Sequence, residues 1–220
     1  MKRMTLFFAI LASTSLLLAA QEQSWIIERF ESQDAIAEQA EQYIEAGYTP
    51  VGIDVSDTWG FTMLFSKNPA WPATTFAVEE INAASEVTDR VTQRVRDGWL
   101  PVDLSFQNDR YIFLFIDAPE RVAGWRILPS QRSTVSVQRA LSQFRNDGYT
   151  VMGSSLVDDG SLVHLVLELP DRDLRGPSLI GVPNDPEDAA TAVETLAREG
   201  WTPMGISVGV DELLVLLYDF

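Results

Sequence analysis

One short motif recurs four times and sets what this chain can fold into: EAGYTPVGIDV (45–55), RDGWLPVDLSF (96–106), NDGYTVMGSSL (146–156) and EGWTPMGISV (199–208). Its glycines, Gly47, Gly98, Gly148 and Gly200, stand 51, 50 and 52 residues apart, and each is followed by an aromatic, Tyr48, Trp99, Tyr149 or Trp201. So regular a period marks an internal repeat of about fifty residues. Upstream of each glycine, apolar residues return at helical spacing, as in Val137, Leu141 and Phe144, or Ala189, Val193 and Leu196. This is one stripe of an amphipathic helix. Ser32, Ser85, Ser133 and Asp185, the last followed by Pro186, are the expected N-caps. The glycine is expected to be left-handed and to end the helix, a conformation that a side chain makes costly.

Beyond the glycine the period drops to two. Val51, Ile53 and Val55 alternate with Gly52 and Asp54, and a polar turn then leads into a second apolar run such as YIFLFID or LLVLLYDF. The pair predicts an antiparallel hairpin. One more apolar run precedes each helix: WIIERF, TFAVEEI, WRILP and SLIGVP. The expected fold is therefore α+β, four tandem βαββ repeats with antiparallel sheets and helices packed on one face. Their spans are 21–70, 71–121, 122–173 and 174–220. A lone unit of this size buries too little surface, so the four must cover one another, in one sheet, two sheets or a ring. Gly52, Asp103, Gly153 and Gly205, then Asp54, Ser105, Ser155 and Ser207, lie on one face of the middle strand, where the small residues imply close approach by a neighbouring unit.

EGWTPMGISV and DGWLPVDLSF resemble the short bacterial βαββ domains of unknown function whose helix ends in Gly-Trp and runs into a hairpin. The resemblance extends over all four copies and implies a fold, with no catalytic residue to carry over. A more remote likeness is to α/β propellers of the pentein kind, whose enzymes depend on a nucleophilic cysteine; this chain has no Cys.

Residues 1–20, MKRMTLFFAILASTSLLLAA, read as a secretory signal peptide: Lys2 and Arg3, a short apolar run, then Ala19 and Ala20. An uncleaved anchor is the alternative. The expected localisation is periplasmic or secreted, without stable membrane insertion after cleavage. The net charge of −16 disfavours phosphate backbones, so no nucleic-acid partner is expected. An envelope protein or a polysaccharide is the expected kind of partner.

Catalytic signals are sparse. His164 is the one histidine, set mid-strand in SLVHLVLEL, and no G-x-S-x-G elbow, Walker loop or G-x-G-x-x-G accompanies it. With one His and no Cys, no metal site and no cofactor is expected. The turn carboxylates Asp109, Asp158, Asp159 and Asp211 recur by position, and they, with Trp59 and Trp71, which fit no repeated slot, are the candidate ligand-binding residues. The expectation is a non-catalytic binding or scaffolding module. The alternative is a carboxylate-dependent hydrolase with acidic residues gathered at one rim.

Overall fold

A computed structural model describes residues 24–220, except Thr58, Asp158, Asp173, Val210, Phe220 and the side chain of Arg175. The signal segment expected over 1–20 lies outside the described residues. No helix among the described residues is long and apolar enough to cross a membrane.

The first unit holds β1 (Trp25–Phe30), α1 (Gln33–Gln39), α2 (Glu41–Glu45), β2 (Thr49–Ser56) and β3 (Gly60–Ser66). The second holds β4 (Phe76–Ile81), α3 (Ala84–Arg96), β5 (Leu100–Gln107) and β6 (Arg110–Ile116). The third holds β7 (Gly124–Gln131), α4 (Thr134–Asn146), β8 (Thr150–Leu156) and β9 (Ser161–Glu168). The fourth holds β10 (Arg175–Pro183), α5 (Pro186–Arg198), β11 (Trp201–Val208) and β12 (Glu212–Asp219). Each unit is thus βαββ, and the repeat is present four times. The first unit's helix is split at Ala40, yet Ile44 N–H still reaches the Ala40 carbonyl at 3.3 Å, so the break is slight.

The helix signals act as their chemistry requires. Ser32, Ser133 and Asp185 accept first-turn N–H groups, and Pro186 opens α5. Ser85 does not cap. The helix α3 starts two residues earlier, after Ala83, and the Glu86 N–H closes onto the Ala83 carbonyl instead. The four repeat glycines have φ between 85° and 101°. In the first three units the following aromatic's N–H bonds back across the helix end, as Tyr48 does to Tyr43 at 2.9 Å.

Every unit forms its own three-stranded antiparallel sheet, in which the last strand is central and the middle one of the chain order lies at an edge: β1-β3-β2, β4-β6-β5, β7-β9-β8 and β10-β12-β11. Those edge strands then meet. β2 packs beside β5, β5 beside β8, β8 beside β11, and β11 returns to β2, so the four units close into a ring with the second strands around its axis and β1, β4, β7 and β10 at the rim. Each inner strand carries a register shift at the same place, after Pro50, Pro101, Val151 or Pro203. The apolar face of each sheet lies under its own helix; the other face meets the neighbouring unit, as where α5 packs on β1 and α4 on β10. Tyr218 of the fourth unit bonds both the N–H and the carbonyl of Val151 in the third, each at 2.8 Å. Trp71 ties connectors together: it is buried, its Nε1–H donates to Glu120 at 2.7 Å, and Glu120 also takes Arg172 at 2.8 Å.

A methyl group at Gly153 would overlap Asp103 Oδ1 and stand 2.8 Å from the Asp103 Cα, which is backbone and cannot swing aside. At Gly148 there is open space and only the left-handed φ of 86° resists a side chain. Gly153→Ala is therefore expected to cost about 3 kcal/mol or more and Gly148→Ala about 1 kcal/mol, measured by urea denaturation. Equal costs would place Gly153 away from the axis contact.

Candidate functional site

Two features of the ring are built from polar chemistry: its axis, and the seams between units. At the axis the free edges of four inner strands converge, and their outward N–H groups need acceptors. Side chains of adjoining units supply them. Val55 N–H donates to Ser105 Oγ at 3.0 Å, Phe106 N–H to Ser155 Oγ at 2.9 Å, Leu156 N–H to Ser207 Oγ at 2.9 Å, and Val208 N–H to Asp54 Oδ2 at 2.5 Å. That relay runs once around the ring. One layer along the axis, Asp103 takes the place that Gly52, Gly153 and Gly205 leave open. Its carboxylate accepts Ile53 N–H at 2.9 Å, Ile206 N–H at 3.2 Å and its neighbour Leu104 N–H at 2.8 Å. Small residues expected to admit a neighbouring unit do so, and one carboxylate fills the space that three glycines leave.

Both axial carboxyls are buried. Burial pushes Asp54 up to about 7, against bonds from Ser105, Val208, Val55 and Ser207. Burial also holds Asp103 well above the carboxylate range, against its three N–H donors, with the Asp54 charge adding to the rise. Across β3 from Asp54, Thr62 Oγ1 is buried without a hydrogen-bond partner. In the third sheet His164 is fully buried between two serines, with Ser154 Oγ at Nδ1 and Ser130 Oγ at Nε2, both at 2.7 Å. Burial lowers its pKa to about 4, so the ring is neutral near pH 7.

The seams differ in how well they close. Between the fourth and first units, Trp25 and Ile27 are buried in one cluster with Ala189 and Val193 of α5. Between the second and third, the equivalent Trp125 and Ile127 are only half-buried, and a groove of about 790 Å³ separates α3 from β7. The clefts at α1–β4 and α4–β10 are smaller, about 300 and 400 Å³. Ala84, Val87 and Thr88 form one wall of the α3–β7 groove, Tyr111 lies within it, and residues 122–128 form the other wall. Arg96 and Arg126 line it as well. Among the described residues Arg96 has no ion-pair partner, whereas Arg90 and Arg94 on the same helix are both held by Glu79. The Arg126 side chain alternates with Trp125 and Ile127 to the other face of β7, where its guanidinium lies 5.7 Å from the Tyr149 ring centroid.

None of the five described residues among the six singled out from the sequence lines this groove. Asp109, Asp159 and Asp211 are exposed in hairpin turns, and Asp159 accepts the N–H of Ser161 in its own turn at 2.8 Å. Asp158 lies outside the described residues. Among the described residues no three His, Cys, Asp or Glu side chains are grouped to hold a metal ion. Trp59 is half-buried beneath the Arg29 guanidinium, 3.0 Å from the ring centroid, and Trp71 is packed between connectors. The signal that could have pointed to the groove is Ala83-Ala84, two methyl side chains at a helix start where two of the other units carry a capping Ser and one a capping Asp. No family model matches the chain, and no curated protein matches it.

Two substitutions test the axis. Asp54 is raised above its ordinary 3.8, so the native state holds extra protons and stability falls as pH rises through the interval up to about 7. His164, lowered from 6.5 to about 4, acts in the opposite sense: stability is lost as pH falls through that interval. Asp54→Ser copies the residue of the other three units and removes the first contribution, together with the Asp54 charge's share of the rise at Asp103, and leaves that of His164. Its melting temperature is expected to gain on that of the wild type steadily as pH rises from about 4 to about 7; a constant difference would refute the perturbed carboxyl. Thr62→Val removes the unpaired hydroxyl at a position where the other sheets carry Ile112, Val163 and Leu214, and is expected to stabilise by about 1 kcal/mol in urea denaturation.

Proposed function

We propose that this protein is a non-catalytic binding module of the bacterial cell envelope, periplasmic or secreted, and that its binding surface is the groove between α3 and β7. The observation that carries this reading is the contrast between seams. The same pair of apolar residues is covered at α5–β1 and half-open at α3–β7, beside Arg96, which has no ion-pair partner among the described residues. Half-buried aromatics flanked by polar groups in a concave surface suit ligand contact. Closure of the ring leaves the groove walls on two rigid units, so the surface is preorganised. The signal-like segment at 1–20 and the resemblance to bacterial βαββ domains support the envelope.

Trp125 lies in the groove, and its Nε1–H donates to Thr92 on the opposite wall at 3.2 Å, so it serves as a reporter. Tryptophan emission is to be followed while acidic peptides, basic peptides and cell-wall oligosaccharides are titrated in. At least one class is expected to shift the emission of the wild type, with the shift lost in Trp125→Phe and in the groove-filling Ala84→Trp. A shift that survives both substitutions would place binding elsewhere, and a flat panel would overturn the reading.

A further inference from the structure

The inner strands show which backbone groups of the rim strands are free. Ile53 and Val55 turn their N–H groups to the axis, so they are not hydrogen-bonded to β3, and their cross-strand partners Met63 and Phe61 bond β1 instead. Alternation then leaves the backbone of Trp25, Ile27 and Arg29 facing outward. In the second unit the same register puts Val78 outward, and there Gln33 Nε2–H of α1 caps the Val78 carbonyl at 2.8 Å. In the third unit the outward residues are Trp125, Ile127 and Pro129. Ile127 is the counterpart of Val78, since the two stand opposite Leu165 and Leu114 in equivalent registers.

The residue at Gln33's place in the second helix, fourteen before its capping glycine, is Ala84. It has no amide with which to cap a carbonyl across the seam. The rim strand β7 thus presents an uncapped edge to the groove, with the N–H and C=O of Trp125 and Ile127 available to another extended chain. Pro129 has no N–H, so pairing stops there, which confines it to a short segment. Arg96 sets the sign of what fits: it lines the groove, is exposed, and has no ion-pair partner among the described residues, on a chain of net charge −16.

We infer that the α3–β7 groove takes an acidic peptide segment in extended form, added as a fourth strand on the edge of β7 with a carboxylate at Arg96. This rests on the groove being the binding surface, and names the occupant. Backbone pairing supplies affinity, and the Arg96 guanidinium selects charge. The aromatic rings of Tyr111 and Trp125 pack the peptide's alternate apolar side chains.

The test uses a labelled peptide of alternating Glu and Val, its Lys–Val counterpart, and a Glu–Val peptide N-methylated at every second amide, with fluorescence anisotropy as the readout. The Glu–Val peptide is expected to bind, more weakly as salt is raised, and the other two to bind at least about tenfold more weakly. Arg96→Glu is expected to reduce Glu–Val binding about tenfold while leaving the melting temperature unchanged, since its side chain is exposed. Ala84→Gln, which restores the capping amide, is expected to weaken binding without charge reversal. Equal binding of the Lys–Val or N-methylated peptide overturns the inference. So does a Trp125 response to oligosaccharide without one to Glu–Val, which leaves the groove as binding surface; silence of Trp125 to every probe overturns both.

Discussion

Four strand edges pointed at one axis create a demand that no sheet partner can meet, and everything else in this molecule follows from how it is met. An unpaired edge N–H buried from water costs as much as a lost hydrogen bond, on the order of 1–3 kcal/mol. Here seven such groups are satisfied by five side chains: four by Ser105, Ser155, Ser207 and Asp54, and three, one layer along the axis, by Asp103. Because the oxygen for each relay bond comes from the adjoining unit, the bonds can form only when the units are side by side. The same contacts that remove a liability of edge strands hold the ring closed. Val208 to Asp54 and Ile206 to Asp103 join the last unit to earlier ones, a closure that no connector enforces.

Charge at the axis is what perfect fourfold sameness would have excluded. Four Asp103 carboxylates could not share one axis, and four glycines would leave the N–H groups of Ile53 and Ile206 without an acceptor. One carboxylate among three glycines meets both limits, which makes the symmetry of the backbone depend on asymmetry of the side chains. Asp54 among Ser105, Ser155 and Ser207 follows the same pattern less strictly, since a serine could accept the same N–H. The cost is a pair of buried carboxyls with raised pKa values and an unpaired Thr62 hydroxyl beside them.

Repetition also explains where a surface for a partner can arise. In each seam a helix of one unit meets the rim strand of the next, and small differences in side chains decide whether it closes. Ala189 and Val193 receive Trp25 and Ile27; Gln33 caps Val78; between α3 and β7 neither device is present and a groove opens. A functional surface on this scaffold needs no new element, only a seam left incomplete, and the rigid ring holds its two walls apart.

The sequence by itself determined the unit. Helix stripe, left-handed Gly47, Gly98, Gly148 and Gly200, alternating strands and three of four caps are local signals, each decided by backbone sterics or by side chains within one turn. Ser85 misled because a backbone turn at Ala83 competes with a side-chain cap on equal terms. The tertiary structure alone decided that the ring closes, because closure depends on bonds such as Val208 to Asp54 between residues 154 positions apart, which no local pattern encodes. It alone decided the groove too: Trp25 and Trp125 stand at equivalent registers of equivalent strands, each followed two residues on by Ile, and what separates a buried side chain from a half-open one is the helix of another unit, brought there by the fold.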